Sequence, residues 1–508
     1  MQQQSVVSRS ESSEASLSRT FAVSESSMVV QATGIVAEAQ STVAPGAPLG
    51  AVSGEVSDVR AVAASGADMP ISSAALAIPR SGIRDVFDRV EQVPDAISLT
   101  VGEPSATAAP HIVEAACEAA RAGHTRYTNV LGIPEYRQAV ADYSARMKGI
   151  SYDPEREIQA VDGATIGLYL ALAAVVAPGD EVIIPSPYFT SYDAEVMLVG
   201  GRPVTVALRP ENGMRINAAD IEAAITPRTR AVIINSPGNP TGAVTSAAEM
   251  VRIAGVCKRH NIWAISDEVY HPFVFDGEES GVASAEGISG DAGRGGAALA
   301  AQMTQVAQMA QMTQVAPSIA AVPGMKERTI VVESLSKTYA MTGWRIGYLL
   351  APERVIEETG KIAELMHSSV NSLSQYAGVA AMAGPQDHVD AMREEYRAKR
   401  QIVLDGLAGC PVLRLIRPQG AFYAFVDVRL TGLDSDEFSR RLLDEERVAV
   451  VPGEAFGEAG RGFVRLSYAG DADELREGVA RLRAFAERVW NPVTGRHSAS
   501  YHPMAVMA

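Results

Sequence analysis

Short runs rich in valine and isoleucine recur along this chain, each closed by polar residues, and this alternation limits the folds open to it. Glu181 to Ile184, Arg230 to Asn235, Ile262 to Ser266 and Thr329 to Glu333 are apolar runs of strand length. Their β-branched content suits a pleated, buried strand. Ala164 to Ala177, Ser246 to Lys258 and Pro352 to Met366 read as helices. The last opens on proline, where a missing N–H costs nothing. Apolar strands alternating with helices predict a mostly parallel sheet between two helical layers. After Pro418 the texture changes. Phe422 to Val428, Val448 to Val451 and Phe463 to Ser467 read as strands and Glu474 to Val489 as a closing helix, which predicts a smaller α+β domain.

The chain has 508 residues, enough for a large core or two domains. Hydrophobic residues make up 47% and charged residues 20%, the balance of an ordinary globular protein. A net charge of −16 repels phosphate backbones, so nucleic acid is not an expected partner. Cys117, Cys257 and Cys410 lie far apart without metal or redox spacing, as expected of reduced thiols in a cytoplasmic protein. The longest apolar run, Gly167 to Ala177, is too short to span a bilayer, and the N-terminus does not resemble a secretory signal. His111, His124, His260 and His271 lack metal-ligand spacing, and no metal is expected.

Residues 1–70, rich in Ser, Ala, Val and Gly, read as a flexible low-complexity tail, with Met69 a plausible native start. A helix-like stretch runs from Asp85 to Val93. Residues 281–316 hold Ala-Gln-Met-Thr-Gln-Val-Ala twice, at 301–307 and 310–316. They read as a low-complexity surface insertion, dispensable for the chemistry, whose Met and Val positions could line a short helix. The expected division is a tail (1–70), an N-terminal arm belonging in part to the small domain (71–105), a large domain (106–350), a small C-terminal domain (351–490) and a second tail (491–508).

In open α/β sheets, ligands sit beyond the carboxyl ends of the strands. The residues that follow each predicted strand are Pro185-Ser-Pro-Tyr188, Asn235-Ser-Pro-Gly-Asn239-Pro-Thr-Gly242, Asp267-Glu-Val-Tyr270 and Ser334-Leu-Ser336-Lys337. An aromatic ring, an amide, a carboxylate, a phenol, hydroxyls and an amine can therefore meet on one rim. That set suits pyridoxal 5'-phosphate. A lysine amine bonds its aldehyde, a buried carboxylate keeps its ring nitrogen protonated, and an aromatic face packs on the ring. Its phosphate needs a helix N-terminus with hydroxyls and an arginine. Gly163-Ala164-Thr165, at the head of a helix, and Arg345, eight residues after Lys337, can supply these.

The chain resembles the class I/II aminotransferases of fold type I from about Ile78 to about Val489. The resemblance rests on Gly102-Glu-Pro, Asn239-Pro-Thr-Gly242, Asp267-Glu-Val-Tyr270, Ser334-Leu-Ser-Lys337-Thr-Tyr-Ala-Met-Thr-Gly-Trp-Arg345-Ile-Gly and Val464-Arg465-Leu-Ser-Tyr468, in the family's order. It implies that Lys337 carries the cofactor and shuttles the substrate proton. Asp267 would pair with the ring nitrogen, Asn239 and Tyr270 bond the ring oxygen, and Tyr188 stack on the ring. Ala164, Thr165, Ser334, Ser336 and Arg345 would surround the phosphate. Arg465 would grip the substrate carboxylate with Gly102 and Asn239. Tyr127, within Arg126-Tyr-Thr-Asn-Val-Leu-Gly132, resembles a tyrosine that reaches the phosphate of the neighbouring subunit, which implies a homodimer. The implied activity is ping-pong transfer of an amino group between an L-amino acid and a 2-oxo acid.

Two other functions use the same text. A β-lyase on this scaffold would keep the same cofactor residues. A non-catalytic, aminotransferase-like transcription regulator would need a basic DNA-binding domain in front, and residues 1–70 carry only Arg9, Arg19 and Arg60 as cationic side chains. The substrate is open. Some aspartate-type relatives have a lysine where this chain has Thr165, while the Ile78 to Ile83 segment resembles relatives that act on aromatic and other neutral amino acids.

Overall fold

The computed structural model describes residues 71–79, 82–275 and 294–490. The expected tails, and the insertion up to residue 293, lie outside them. The described residues belong to one unit, Pro70–Ala508.

The larger sheet is built from β2 (Ile158–Val161), β3 (Glu181–Ser186), β4 (Arg202–Ala207), β5 (Thr229–Asn235), β6 (Trp263–Asp267), β7 (Thr329–Ser334) and β8 (Gly347–Leu350), after a short β1 (Ile97–Ser98) that lies elsewhere. Its order is β2-β8-β7-β6-β5-β3-β4. Only β8 runs against its neighbours; the remaining pairs are parallel. The predicted α/β architecture is therefore present, with an antiparallel β8 that its apolar text did not announce. Because β8 reverses direction, β2 and β7 point the same way. The ends of β2, β5, β6 and β7 then share one rim. The register aligns them residue by residue: Asn235 faces Asp267, Asp267 faces Val332, and both Ser334 and Val161 face Gly347. Gly347 packs its Cα against the Glu333 carbonyl, a fit with no room for a side chain.

β3, β5, β6 and β7 are buried on both faces, as their unbroken apolar runs require; β4, at the edge, is partly exposed. Helix Ala164–Val175 covers one face, packing Leu168 and Leu172 against Val332 and Ile265. Helix Ala247–His260 covers the other, with Met250, Ile253 and Cys257 against Val232 and Ile234. Ser246 caps that helix through the Glu249 amide.

The smaller sheet orders β9 (Arg414–Ile416), β10 (Tyr423–Asp427), β12 (Val451–Pro452) and β13 (Phe463–Ser467) as β12-β13-β10-β9, all antiparallel; β11 (Val448–Ala449) pairs with β1 instead. That pairing brings the N-terminal segment into the small sheet's core, where Leu99 is buried.

The chain after residue 351, where a domain boundary is expected, contributes to the cores around both sheets. Helices Glu353–His367 and Ser372–Ala383 bury Val355, Ile356, Ala377 and Ala381 in the cores around the large sheet. Helix Asp387–Leu407 crosses between the cores, with Val389 in one and Met392, Tyr396 and Val403 in the other. A helix of 21 residues is long enough to belong to both, so no break in composition marks the division.

The second difference is the insertion. Residues Arg294–Thr313 form a helix of 20 residues. Met303, Val306, Ala307 and Ala310, spaced three, four and seven apart, make one apolar stripe. Val306 and Ala307 are buried against the helix Ala247–His260, and Met309 closes over Gly149. Ala, Gln and Met favour helix, so the repeated heptapeptide builds a packed helix, longer than the short one its Met and Val positions suggested.

Candidate active site

A cavity of about 260 Å³ opens over the shared rim. Of the expected site residues, Gly102, Ala164, Thr165, Asn239, Asp267, Tyr270, Ser334, Ser336, Lys337, Arg345 and Arg465 all line it. They come from both sheets and from loops more than 300 residues apart in sequence, between Gly102 and Arg465.

Lys337 sits in the turn after β7, and its Nζ donates to the Gly102 carbonyl at 2.8 Å. Burial makes its ammonium form costly and lowers its pKa to about 8; Arg345 and Arg465 push the same way, against Glu103 and Asp267. The amine therefore exchanges protons near neutral pH. Asp267, at the end of β6, is buried, and burial raises its pKa to about 6. Two donors oppose that rise: the Tyr192 hydroxyl at 2.5 Å and the Val269 amide at 3.3 Å.

Arg465, in the middle of β13, is 1% exposed. Its NH1 donates to Asn239 Oδ1 at 3.1 Å and its NH2 to the Thr100 carbonyl at 2.6 Å. Nε has no partner. The guanidinium lies 4.6 Å from the Tyr423 ring centre and 4.8 Å from that of Phe456. Among the described residues no carboxylate pairs with it. A buried cation without an acid partner is expensive unless something supplies one, and here the open side is the cavity.

The opposite end is built for an anion. Helix Ala164–Val175 starts after Gly163, at φ +85°, and no side chain caps it. Its first N–H groups are free to meet a ligand, and the helix dipole favours negative charge there. Arg345 has φ +51°, a left-handed conformation strained for an arginine. The bend carries its guanidinium back over Gly163, where a Cβ would stand 2.5 Å from NH2. Ser334 and Ser336 place their hydroxyls 2.7 Å apart on the same side. Lys337, Arg345 and Arg465 against Asp267 make this cavity locally positive, although the chain carries −16.

Two expected residues lie elsewhere. Tyr188 turns away: its hydroxyl donates to Asp193 at 3.0 Å and its ring lines neighbouring clefts. Phe189, the next residue, lines the cavity. The inward-facing ring is thus Phe189, because the chain has left β3 at Ser186 and the turn decides which ring faces inward. The Pro-Tyr-Phe text offers two aromatics and no means of choosing. Tyr127 is 87% exposed and does not line its own chain's cavity.

Beside Phe189, three further groups escaped sequence reasoning. Tyr192 supports Asp267. Tyr423 lies 2.9 Å from the Tyr270 hydroxyl, beneath Arg465 and against Gly102. Ile83 and Phe87, on helix Gly82–Val90, form an apolar wall at the entrance. Spacing signals the third group only: Ile83, Val86 and Phe87 sit on one helical face.

The family model for class I and II aminotransferases matches residues 94–482. The chain belongs to that family. As an aminotransferase it is 38% identical over 406 residues to the aromatic-amino-acid aminotransferase 2 of Thermococcus litoralis, covering 79% of this chain and 94% of that one. It is likewise 38% identical over 406 residues to the aspartate aminotransferase of Pyrococcus abyssi, with the same coverage. The solved aspartate aminotransferase of Thermus thermophilus with maleate superposes with a TM-score of 0.72 at 33% identity, covering 82% of this chain and all of that one. Aminotransferases of this class work with pyridoxal phosphate. The cavity fits that group: a buried amine and carboxylate stand beside an uncapped helix end with an arginine over it. Among the described residues no helix is long and apolar enough to cross a membrane.

Proposed function

We propose that this aminotransferase holds pyridoxal 5'-phosphate in the cavity through Lys337 and moves an amino group between an L-amino acid and a 2-oxo acid. The observation that carries the reading is Arg465, a buried guanidinium that no carboxylate among the described residues pairs, in one cavity with a lysine whose pKa is about 8.

The bound cofactor supplies an aldehyde carbon to which an amine can be bonded and a ring that accepts electron density from the substrate Cα. Ala164 and Thr165 through their amides, Ser334, Ser336 and Arg345 would hold its phosphate. Asp267 would keep a proton on the ring nitrogen. Asn239 and Tyr270 would bond the ring oxygen, and Phe189 would cover the ring face. Arg465, with Gly102 and Asn239, takes the substrate carboxylate and so sets the α-hydrogen towards Lys337. Nζ of Lys337, set free when the substrate amine takes its place, would accept that proton and hold it for return; a pKa of about 8 suits it to both tasks.

The enzyme acts as a homodimer in this reading. Tyr127 lies outside its own cavity, 87% exposed, and completes the phosphate site of the neighbouring subunit. Leu365, at 90% exposure, is a further apolar residue suited to such a contact. The three free thiols fit a cytoplasmic location.

A half-reaction tests the proposal. With an amino acid and no acceptor, the holoenzyme should release one equivalent of 2-oxo acid and retain pyridoxamine phosphate. Ammonia release with the cofactor aldehyde regenerated would identify a lyase instead.

A further inference from the structure

Behind the cavity wall lies a set of buried charges that amino-group transfer does not use. Successive strand residues point to opposite faces. Glu333 precedes Ser334 and Glu268 follows Asp267, and neither lines the cavity. Both are buried, at 1% and 3% exposure. Lys148, the last residue of helix Pro134–Lys148, reaches both: its Nζ lies 2.8 Å from Glu268 Oε2 and also bonds Glu333 Oε1. His271 sets Nδ1 2.9 Å from Glu333 Oε1 and Nε2 2.9 Å from the Tyr143 hydroxyl. Ser266 and Ser318 each donate to Glu268 Oε1 at 2.7 Å.

We propose that the Lys148–Glu268–Glu333–His271 cluster is a positioning device for the catalytic rim, in which Lys148 ties the residue after Asp267 to the residue before Ser334. The proposal rests on the aminotransferase reading of that rim. The paired ladder between β6 and β7 ends at Asp267 and Val332. Beyond it the chains part, one towards Tyr270 and one towards Lys337, and Lys148 spans the gap.

Charge gives the tie a second effect. After burial itself, Glu333 and Glu268 are among the influences that raise the pKa of Asp267, and Lys148 offsets them. Burial alone would raise Glu333, yet His271 and Lys148 hold it below its ordinary value. Lys148, raised above its ordinary value by the two glutamates against its burial, therefore meets Glu333 as an ion pair. A buried pair that loses one member leaves an uncompensated charge, which costs more than the pair contributed.

The inserted helix seals this cluster. It packs Met309 on Gly149, next to Lys148. The chain leaving it then donates from the Ala316 amide to the His271 carbonyl at 2.9 Å and, two residues on, from Ser318 to Glu268.

The test is Lys148→Met in the full-length holoenzyme, with Lys148→Met/Glu333→Gln beside it. The double variant removes one charge of each sign and keeps the net charge of the cluster. The single variant should bind pyridoxal phosphate about 10- to 100-fold more weakly, the range met when groups supporting a ligand shell are removed. The acid limb of its kcat profile should move to higher pH, because Asp267 would take a proton more readily. The double variant should return that limb towards wild type. If Lys148→Met does not fold, Ser318→Ala, which leaves the ion pairs intact, should still weaken cofactor binding by a few-fold. A lowered melting temperature with wild-type cofactor affinity and an unmoved pH profile would overturn the proposal and leave the cluster a structural element only. Wild-type protein that binds no pyridoxal phosphate would instead refute the aminotransferase reading of the cavity.

Discussion

Tyr192 donates its phenolic proton to Asp267 across 2.5 Å, with both side chains buried. The bond favours the carboxylate and restrains the rise that burial imposes. In the cofactor-free protein Tyr192→Phe should move the Asp267 titration above about 6. The sign for stability follows. A carboxyl with a raised folded pKa keeps its proton when the unfolded chain has lost it. Stability therefore falls as pH rises from the ordinary carboxylate value towards 6. The variant should steepen that fall, read by urea unfolding across the acid range.

Lys337→Ala should abolish turnover and leave the fold intact. Its effect on the cofactor-free protein has the opposite pH sense. With the folded pKa near 8 and the free value at 10.5, the buried ammonium destabilises the protein below pH 8, and that cost is relieved as pH rises towards 10.5. The variant should melt higher than wild type at pH 7, with the difference vanishing in strong alkali. Equal melting temperatures at both pH values would contradict the burial of the amine.

Phe189→Ala should weaken cofactor binding, since stacked aromatic contacts contribute about 0.5–1.5 kcal/mol beyond area burial. Tyr188→Phe, which removes only the hydroxyl bonded to Asp193, should leave cofactor affinity unchanged. Equilibrium titration decides which ring faces the cofactor when Tyr188→Leu, which removes the other ring, is measured beside Phe189→Ala: only the Phe189 change should weaken binding.

Arg465→Lys should reduce kcat/KM for amino acids by about 10- to 100-fold, the equivalent of about 1.5–3 kcal/mol for a hydrogen bond to a charged group. Cofactor affinity should change far less. Steady-state kinetics beside cofactor titration separates the two effects.

Deleting residues 294–313 should lower the melting temperature markedly, because it uncovers the core to which Val306 and Ala307 contribute; a buried valine contributes about 1.5–3 kcal/mol. Cofactor binding should persist at reduced affinity, through the disturbed contacts at Ala316 and Ser318. A deletion that melts like wild type would restore the view of the segment as a dispensable surface insertion.

The sequence by itself determined four strands of the large sheet, β3, β5, β6 and β7, and the groups that follow them. Unbroken Val and Ile runs are a property of strands buried on both faces, so Thr329 to Glu333 announced its strand and Ser334-Leu-Ser336-Lys337 its rim without any contact being known. Choices between neighbours were settled in three dimensions. Tyr188 and Phe189 are adjacent aromatics, and only the turn leaving β3 selects the inward ring. Tyr192, Tyr423 and Lys148 carry no local signature, because each acts on a partner more than 70 residues away: Asp267, Tyr270, and the two glutamates. The heptapeptide at 301–316 shows the same division. Its helical stripe was legible, but whether that stripe met solvent or a core depended on the helices Pro134–Lys148 and Ala247–His260 lying beneath it. Local periodicity records which face of an element is apolar; which surface it meets follows from how the chain returns on itself.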